Sequence, residues 1–116
     1  MRPAASWLLL ALLWPLAALA HAHLQHSDPA DGAVIGDAPV QFKLQFSEPA
    51  QLTALTLSKA GQAVPQKIAP LPAAAAAQLQ VAAPHLEPGE YELSYRVISA
   101  DSHIMSGKIR FTVTAH

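Results

Sequence analysis

The sequence predicts an all-β domain, a sandwich or barrel of antiparallel strands, preceded by an export signal. Three observations carry this. Apolar and polar residues alternate with period two in several separate segments, the pattern of strands buried on one face. Clusters of Gly, Pro, Asp and Ser divide those segments, and no helical period lies between them. The first twenty residues differ in kind from the rest.

Met1 to Ala20 has the three parts of a secretory signal peptide. Arg2 is the positive start, Trp7 to Trp14 the apolar run, and Ala18-Leu19-Ala20 a small-residue cleavage site. The run is short for a spanning helix, which needs about 20 apolar residues, and Pro15 interrupts it. Cleavage after Ala20 would leave residues 21–116 as one domain beginning at His21. Removing 20 of the 116 residues leaves 96, enough for a small core of modest stability.

The strands follow in order. In "VQFKLQF" (40–46), Val40, Phe42, Leu44 and Phe46 share one face. "ALTLSK" (54–59) carries Leu55 and Leu57. "AVPQKIAP" (63–70) is weaker, and Pro65 marks it as an edge. "PLPAAAAAQ" (70–78) reads as a loop, since its alanine run is too short for an isolated helix. "QLQVAA" (78–83) carries Leu79 and Val81. "EYELSYRVIS" (90–99) aligns Tyr91, Leu93, Tyr95 and Val97. "KIRFTVTA" (108–115) aligns Ile109, Phe111 and Val113. Turn signals fall at "DPADG" (28–32), "KAGQ" (59–62), "EPGE" (87–90) and "SG" (106–107). Tyr91, just after a Pro-Gly turn, is placed either as a core tyrosine or as a tyrosine corner whose hydroxyl ties back to the preceding backbone.

Composition narrows the chemistry. Without Arg2 the chain holds six Lys and Arg against eight Asp and Glu, a formal charge of −2 with no basic patch for nucleic acid. There is no cysteine, so there are no disulfides and no thiolate metal site. Phosphate-loop, G-x-S-x-G and H-E-x-x-H patterns are missing. Glu90 and Glu92 lie on the outward face of a strand and read as a solvated surface.

Two clusters remain. One is His21-Ala22-His23, the new N-terminus. The other is "SADSHIMSG" (99–107), with Asp101 and His103. If that segment is extended, residues two apart point the same way and offer a carboxylate beside an imidazole. A free N-terminal histidine supplies its α-amine and its ring Nδ1 to one metal. The amine, with a pKa of about 7.7–8, releases its proton readily to a metal. With His103 and Asp101 the set becomes nitrogen and oxygen, suited to Cu(II) or Ni(II), with Cu(II) heading the affinity order. Zinc would prefer a tetrahedral set. A rival mode is local: the amine, two deprotonated backbone amides and the imidazole of His23 can hold the same ions without a folded domain. Cu(I) favours sulfur, and only Met105 survives cleavage, where packing is its expected role. His26, His85 and His116 are assigned no function.

The ordered set "HAHLQHSDPADGA", "LQFSEP" (44–49), "LEPGEYELSYRVIS" (86–99) and "SADSHIMSGKIRFTV" (99–113) resembles the periplasmic copper-resistance protein C family, CopC, with its YobA-type members. The resemblance covers essentially the whole mature chain. It implies a Greek-key sandwich or barrel of about seven strands, immunoglobulin- or cupredoxin-like. It implies a periplasmic Cu(II) carrier working with an inner-membrane transporter of the CopD type. By the same resemblance the Cu(II) ligands fall on His21, Asp101 and His103; His23, from the reading of the residues alone, stays a rival or auxiliary ligand. Glu48 matches a family motif without a ligand role. The methionine-rich Cu(I) loop of some members is missing. A monomer with no membrane span after cleavage and no nucleic-acid partner is expected. Two other functions compete. One is a copper enzyme using a histidine brace for oxygen chemistry, for which about 96 residues without tryptophan leave little substrate surface. The other is a structural sandwich that uses no metal.

Overall fold

One strand organises the molecule, because it is too long to belong to one layer. In the computed structural model, which describes residues 22–115, β3 (Gln41–Lys59) runs for 19 residues. Around it lie β1 (Leu24–Asp28), β2 (Ala33–Ile35), β4 (Gln66–Lys67), β5 (Ala76–Ala82), β6 (Gly89–Ser99) and β7 (Ile104–Val113). The first half of β3 pairs with β1 and β5; the second half pairs with β6 and β4. The sheet order is β1-β3-β6-β7-β2, and every pairing is antiparallel except the parallel one between β2 and β7. The seven strands thus form one curled sheet, the sandwich-or-barrel class predicted.

The sequence explains how β3 serves both halves. Phe42, Leu44, Phe46, Ala50 and Leu52 are buried at even positions, then Leu55 and Leu57 at odd ones. A β-bulge between Leu52 and Ala54 makes that change, since one extra residue reverses which side faces the core. Thr53 is the inserted residue, and its hydroxyl donates to the Arg96 carbonyl at 3.1 Å. Pro49, which has no N–H to give, sits in the stretch between Gln45 and Ala50 where pairing with β5 lapses. The two strands expected at 40–46 and 54–59 are therefore one.

Other elements follow the predicted alternation. Leu79 and Val81 of β5, Tyr91, Leu93 and Val97 of β6, and Ile109, Phe111 and Val113 of β7 all point inward and are buried. Phe42 and Tyr91 meet Phe111 at ring-centroid distances of 6.1 and 5.3 Å. Phe46 meets Tyr95 edge-on at 5.7 Å.

The differences have local causes. β1 and β2 were not expected, being short and, in β1, interrupted by a bulge between Leu24 and His26. The 63–70 segment contributes only two paired residues and the buried Ile68. β5 begins inside the alanine run, with Ala76 opposite Ala50. Ser106-Gly107 is not a turn but the interior of β7, where Gly107 faces Tyr95 across the strands. A Cβ there would collide with the Tyr95 ring and hydroxyl, so the glycine gives room to an aromatic ring rather than bending the chain.

Tyr91 is a tyrosine corner. Its hydroxyl donates to the Glu87 carbonyl at 2.5 Å. Burial, then the Glu87 carboxylate, push the phenol up from its ordinary pKa. Tyr91→Phe keeps the stacked ring and removes the bond, leaving the part-buried Glu87 carbonyl without this donor. It is expected to lower the urea midpoint by about 1 kcal/mol of stability with an unchanged slope; an unchanged midpoint would remove the corner from the account.

Candidate metal centre

The described parts of the two clusters singled out in the sequence, Ala22-His23 and Asp101–His103, adjoin the middle of β3, at Ser47 and beside Ala50. β6 ends at Ser99 and β7 begins at Ile104, so residues 100–103 form the connection. It is a closed turn rather than the extended segment considered from sequence. Ser102 N–H donates to Ser99 C=O at 2.9 Å, and Ser99 N–H donates to His103 C=O at 2.9 Å. Ser102 takes a left-handed φ of 70°, uncommon for a residue with a side chain.

That turn brings Asp101 and His103 together. Asp101 Oδ2 lies 2.8 Å from His103 Nδ1. Asp101 Oδ1 accepts from the Ser99 hydroxyl and, at 3.4 Å, from the His103 N–H. A carboxylate only accepts, so Nδ1 carries the ring proton and the lone pair of the neutral ring falls on Nε2. The Ser99 hydroxyl, then the His103 ring and backbone donors, hold the Asp101 carboxyl down at a pKa of about 2 against the opposing effect of desolvation. Asp101 is therefore ionised at any neutral or mildly acid pH. More than half of the His103 side chain faces solvent.

The chain start is fixed nearby. Ala22 is fully buried in the core, while His23 is exposed. His23 N–H donates to Ser47 Oγ at 3.0 Å, and Ser47 N–H donates to His23 C=O at 2.8 Å. The Ser47 hydroxyl also lies 3.3 Å from His23 Nδ1. Ser47 stands three residues before Ala50, whose strand partner is Ser99. Those three residues span about 10 Å of extended chain. β1 and β6 both lie on the edge of β3 opposite β5, so β3 carries the His23 anchor and the root of the Asp101–His103 turn on one side.

His21 and the signal segment 1–20 lie outside the described residues. Among the described residues no group of three or more His, Asp or Glu gathers as a metal site. The described part of the candidate centre is the pair Asp101–His103, with His23 held at Ser47. His26 stands exposed on β1, and His85 pairs with Glu87 at 2.5 Å, both well exposed. His116 is outside the described residues. Sequence reasoning missed Ser99 and Ser47. The signal for Ser99 was available: it continues the inward positions Tyr91, Leu93, Tyr95 and Val97, where a hydroxyl is out of place.

Residues 24–114 match the CopC domain family. The chain belongs to the CopC family. Among its relatives, the protein YobA of Escherichia coli K12 is 35% identical over 99 residues, covering 81% of this chain and 79% of YobA. Among solved structures, PcoC, a methionine-rich copper resistance protein from Escherichia coli, is similar at 32% identity and a TM-score of 0.59, with 82% of this chain and all of that one covered. CopC from Methylosinus trichosporium OB3b shares the fold at 24% identity and a TM-score of 0.69, covering 83% and 96%. Among the described residues of this CopC-family chain, no helix is long and apolar enough to cross a membrane.

The low pKa of Asp101 fixes the sign of an acid effect. Its folded value lies below its ordinary 3.8, so its contribution to stability is complete above about pH 4 and is lost as the pH falls through about 2. The gap in unfolding free energy between the wild type and Asp101→Asn should stay constant above pH 4 and shrink towards pH 2. A gap that stays unchanged down to pH 2 would contradict the lowered carboxyl.

Proposed function

We propose that this chain is a periplasmic Cu(II)-binding protein of copper resistance or homeostasis, a carrier rather than an enzyme. Copper is its cargo. Membership of the CopC family, with a similar protein named for copper resistance, supports the class. The observation that carries the site is the Asp101–His103 pair, held in its turn beside the stretch of β3 to which the chain start is bonded through His23.

In this reading, export removes residues 1–20 and exposes His21, which offers its amine and Nδ1. His103 offers Nε2, and Asp101, whose Oδ2 holds the His103 Nδ1–H, supplies negative charge behind the ring. Nitrogen-rich ligation of this kind suits Cu(II). PcoC is described as methionine-rich, whereas this sequence has only Met1 and Met105. A Cu(I) store built on several thioethers is therefore not part of the proposal. The carrier would act as a monomer and deliver copper to an inner-membrane transporter of the CopD type.

The local three-residue mode at His21-Ala22-His23 is disfavoured by the fold. It requires the His23 backbone amide as a deprotonated ligand, yet that N–H is bonded to Ser47 and the His23 carbonyl closes the same ladder. Local binding would detach the chain start from β3.

Competition titrations on protein with a mass-confirmed His21 terminus test this. One added N-terminal residue should weaken Cu(II) binding by more than tenfold, as should His103→Ala, since each removes a nitrogen donor. His23→Ala should leave affinity within a few-fold. The reverse pattern, with only His23→Ala harmful, establishes the local mode and overturns the folded one.

A further inference from the structure

We infer that Ser99 is a positioning residue of the metal site, the anchor that decides, through Asp101, which nitrogen of His103 faces the ion. This rests on the copper-binding reading above. Ser99 belongs to the row of β6 side chains that builds the core, and it is 4% exposed. Among the described residues one other polar residue is buried, Ser27, whose hydroxyl closes onto the Pro29 carbonyl two residues away. The Ser99 hydroxyl instead points along the sheet into the turn and donates to Asp101 Oδ1. It also lies 3.3 Å from the His103 carbonyl, which the Ser99 N–H already holds at 2.9 Å.

The contacts form a chain with one direction. The hydroxyl sits on a β6 position locked in the core, so it cannot follow a wandering loop. It fixes Oδ1. With Oδ1 fixed, Oδ2 lies against His103 Nδ1 at 2.8 Å. With Nδ1 bearing its proton, Nε2 is left as the donor atom of the neutral ring, turned away from the carboxylate. A carboxylate–imidazole pair behind a metal orients the ring and raises its basicity, and losing such a partner typically costs about 10–100-fold in metal affinity. Ser99 stands one step further out and acts through Asp101. Removing its hydroxyl frees Asp101 to turn to solvent, and the ring then samples both tautomers and several rotamers.

The bland alternative is that Ser99 merely closes the turn. The two roles separate experimentally. In Ser99→Ala, ¹⁵N spectra of the apo-protein should show His103 moving from a single Nδ1–H tautomer towards a mixture, and Cu(II) affinity should fall about tenfold. Ser99→Thr, which keeps the hydroxyl, should hold the wild-type tautomer and recover most of the affinity. Ser99→Val keeps the shape of Thr without the hydroxyl and should behave like Ala; it serves if the Ala variant fails to fold. A His103 tautomer unchanged in the folded Ala or Val variant overturns the inference. So does wild-type copper affinity in either variant. A wild-type protein that binds Cu(II) no better than a His-Ala-His peptide overturns the functional reading instead. In that event the apo tautomer still decides whether Ser99 positions His103.

Discussion

The structure depends on β3 being able to reverse its buried side part-way along its length. A strand of 19 residues in one register would bury even-numbered residues throughout and turn Leu55 and Leu57 to solvent. The bulge at Thr53 removes that conflict, and Pro49 marks the stretch where the strand gives up pairing with β5. Both halves then contribute to one core, from Phe42 to Leu57. The same passage from one half to the other marks the stretch of β3 on which the candidate centre is built. Ser47 receives the chain start and, three residues on, Ala50 receives Ser99 on the same edge of β3, opposite β5. Two segments separated by some 80 residues of sequence become neighbours because one strand edge receives both.

That arrangement divides the site into a prepared part and a contributed part. Asp101 and His103 are held by a turn closed by hydrogen bonds within residues 99–103, whose root is a buried serine. The carboxylate is ionised well below neutral pH, so it meets a cation already charged and needs no proton release at that group. In the proposed carrier the contributed part is the terminus, whose amine would exist only after cleavage following Ala20. An unprocessed chain would then hold Asp101 and His103 without that amine.

Much of this was legible in the sequence. The period-two runs located the strong strands, and the Pro-Gly turn before Tyr91 pointed to its hydroxyl bond with the Glu87 carbonyl. Asp101 and His103 stood out by residue type and spacing. The structure brings them together, though through a turn with a left-handed Ser102 that no alternation pattern announces. The parts not legible share a cause. β1 and β2 are too short for a period to emerge, and they owe their existence to partners distant in sequence. A bulge such as that at Thr53 leaves two runs of opposite parity that look like two strands. Gly107 resembled a turn signal because a glycine's sequence context does not show the ring of Tyr95 lying over it. Ser99 was overlooked because a serine at a strand end is ordinary until its burial is known.

The central claim is that copper is held by the terminus and the Asp101–His103 turn together. Electron paramagnetic resonance of the Cu(II)-loaded processed protein, with ¹⁵N-histidine labelling and pulsed detection, tests it most directly because it counts imidazoles on the ion. The account predicts one equivalent of Cu(II) with two coordinated imidazoles, falling to one in His103→Ala. A single imidazole in the wild type, with the spectrum of a His-Ala-His peptide, would contradict it.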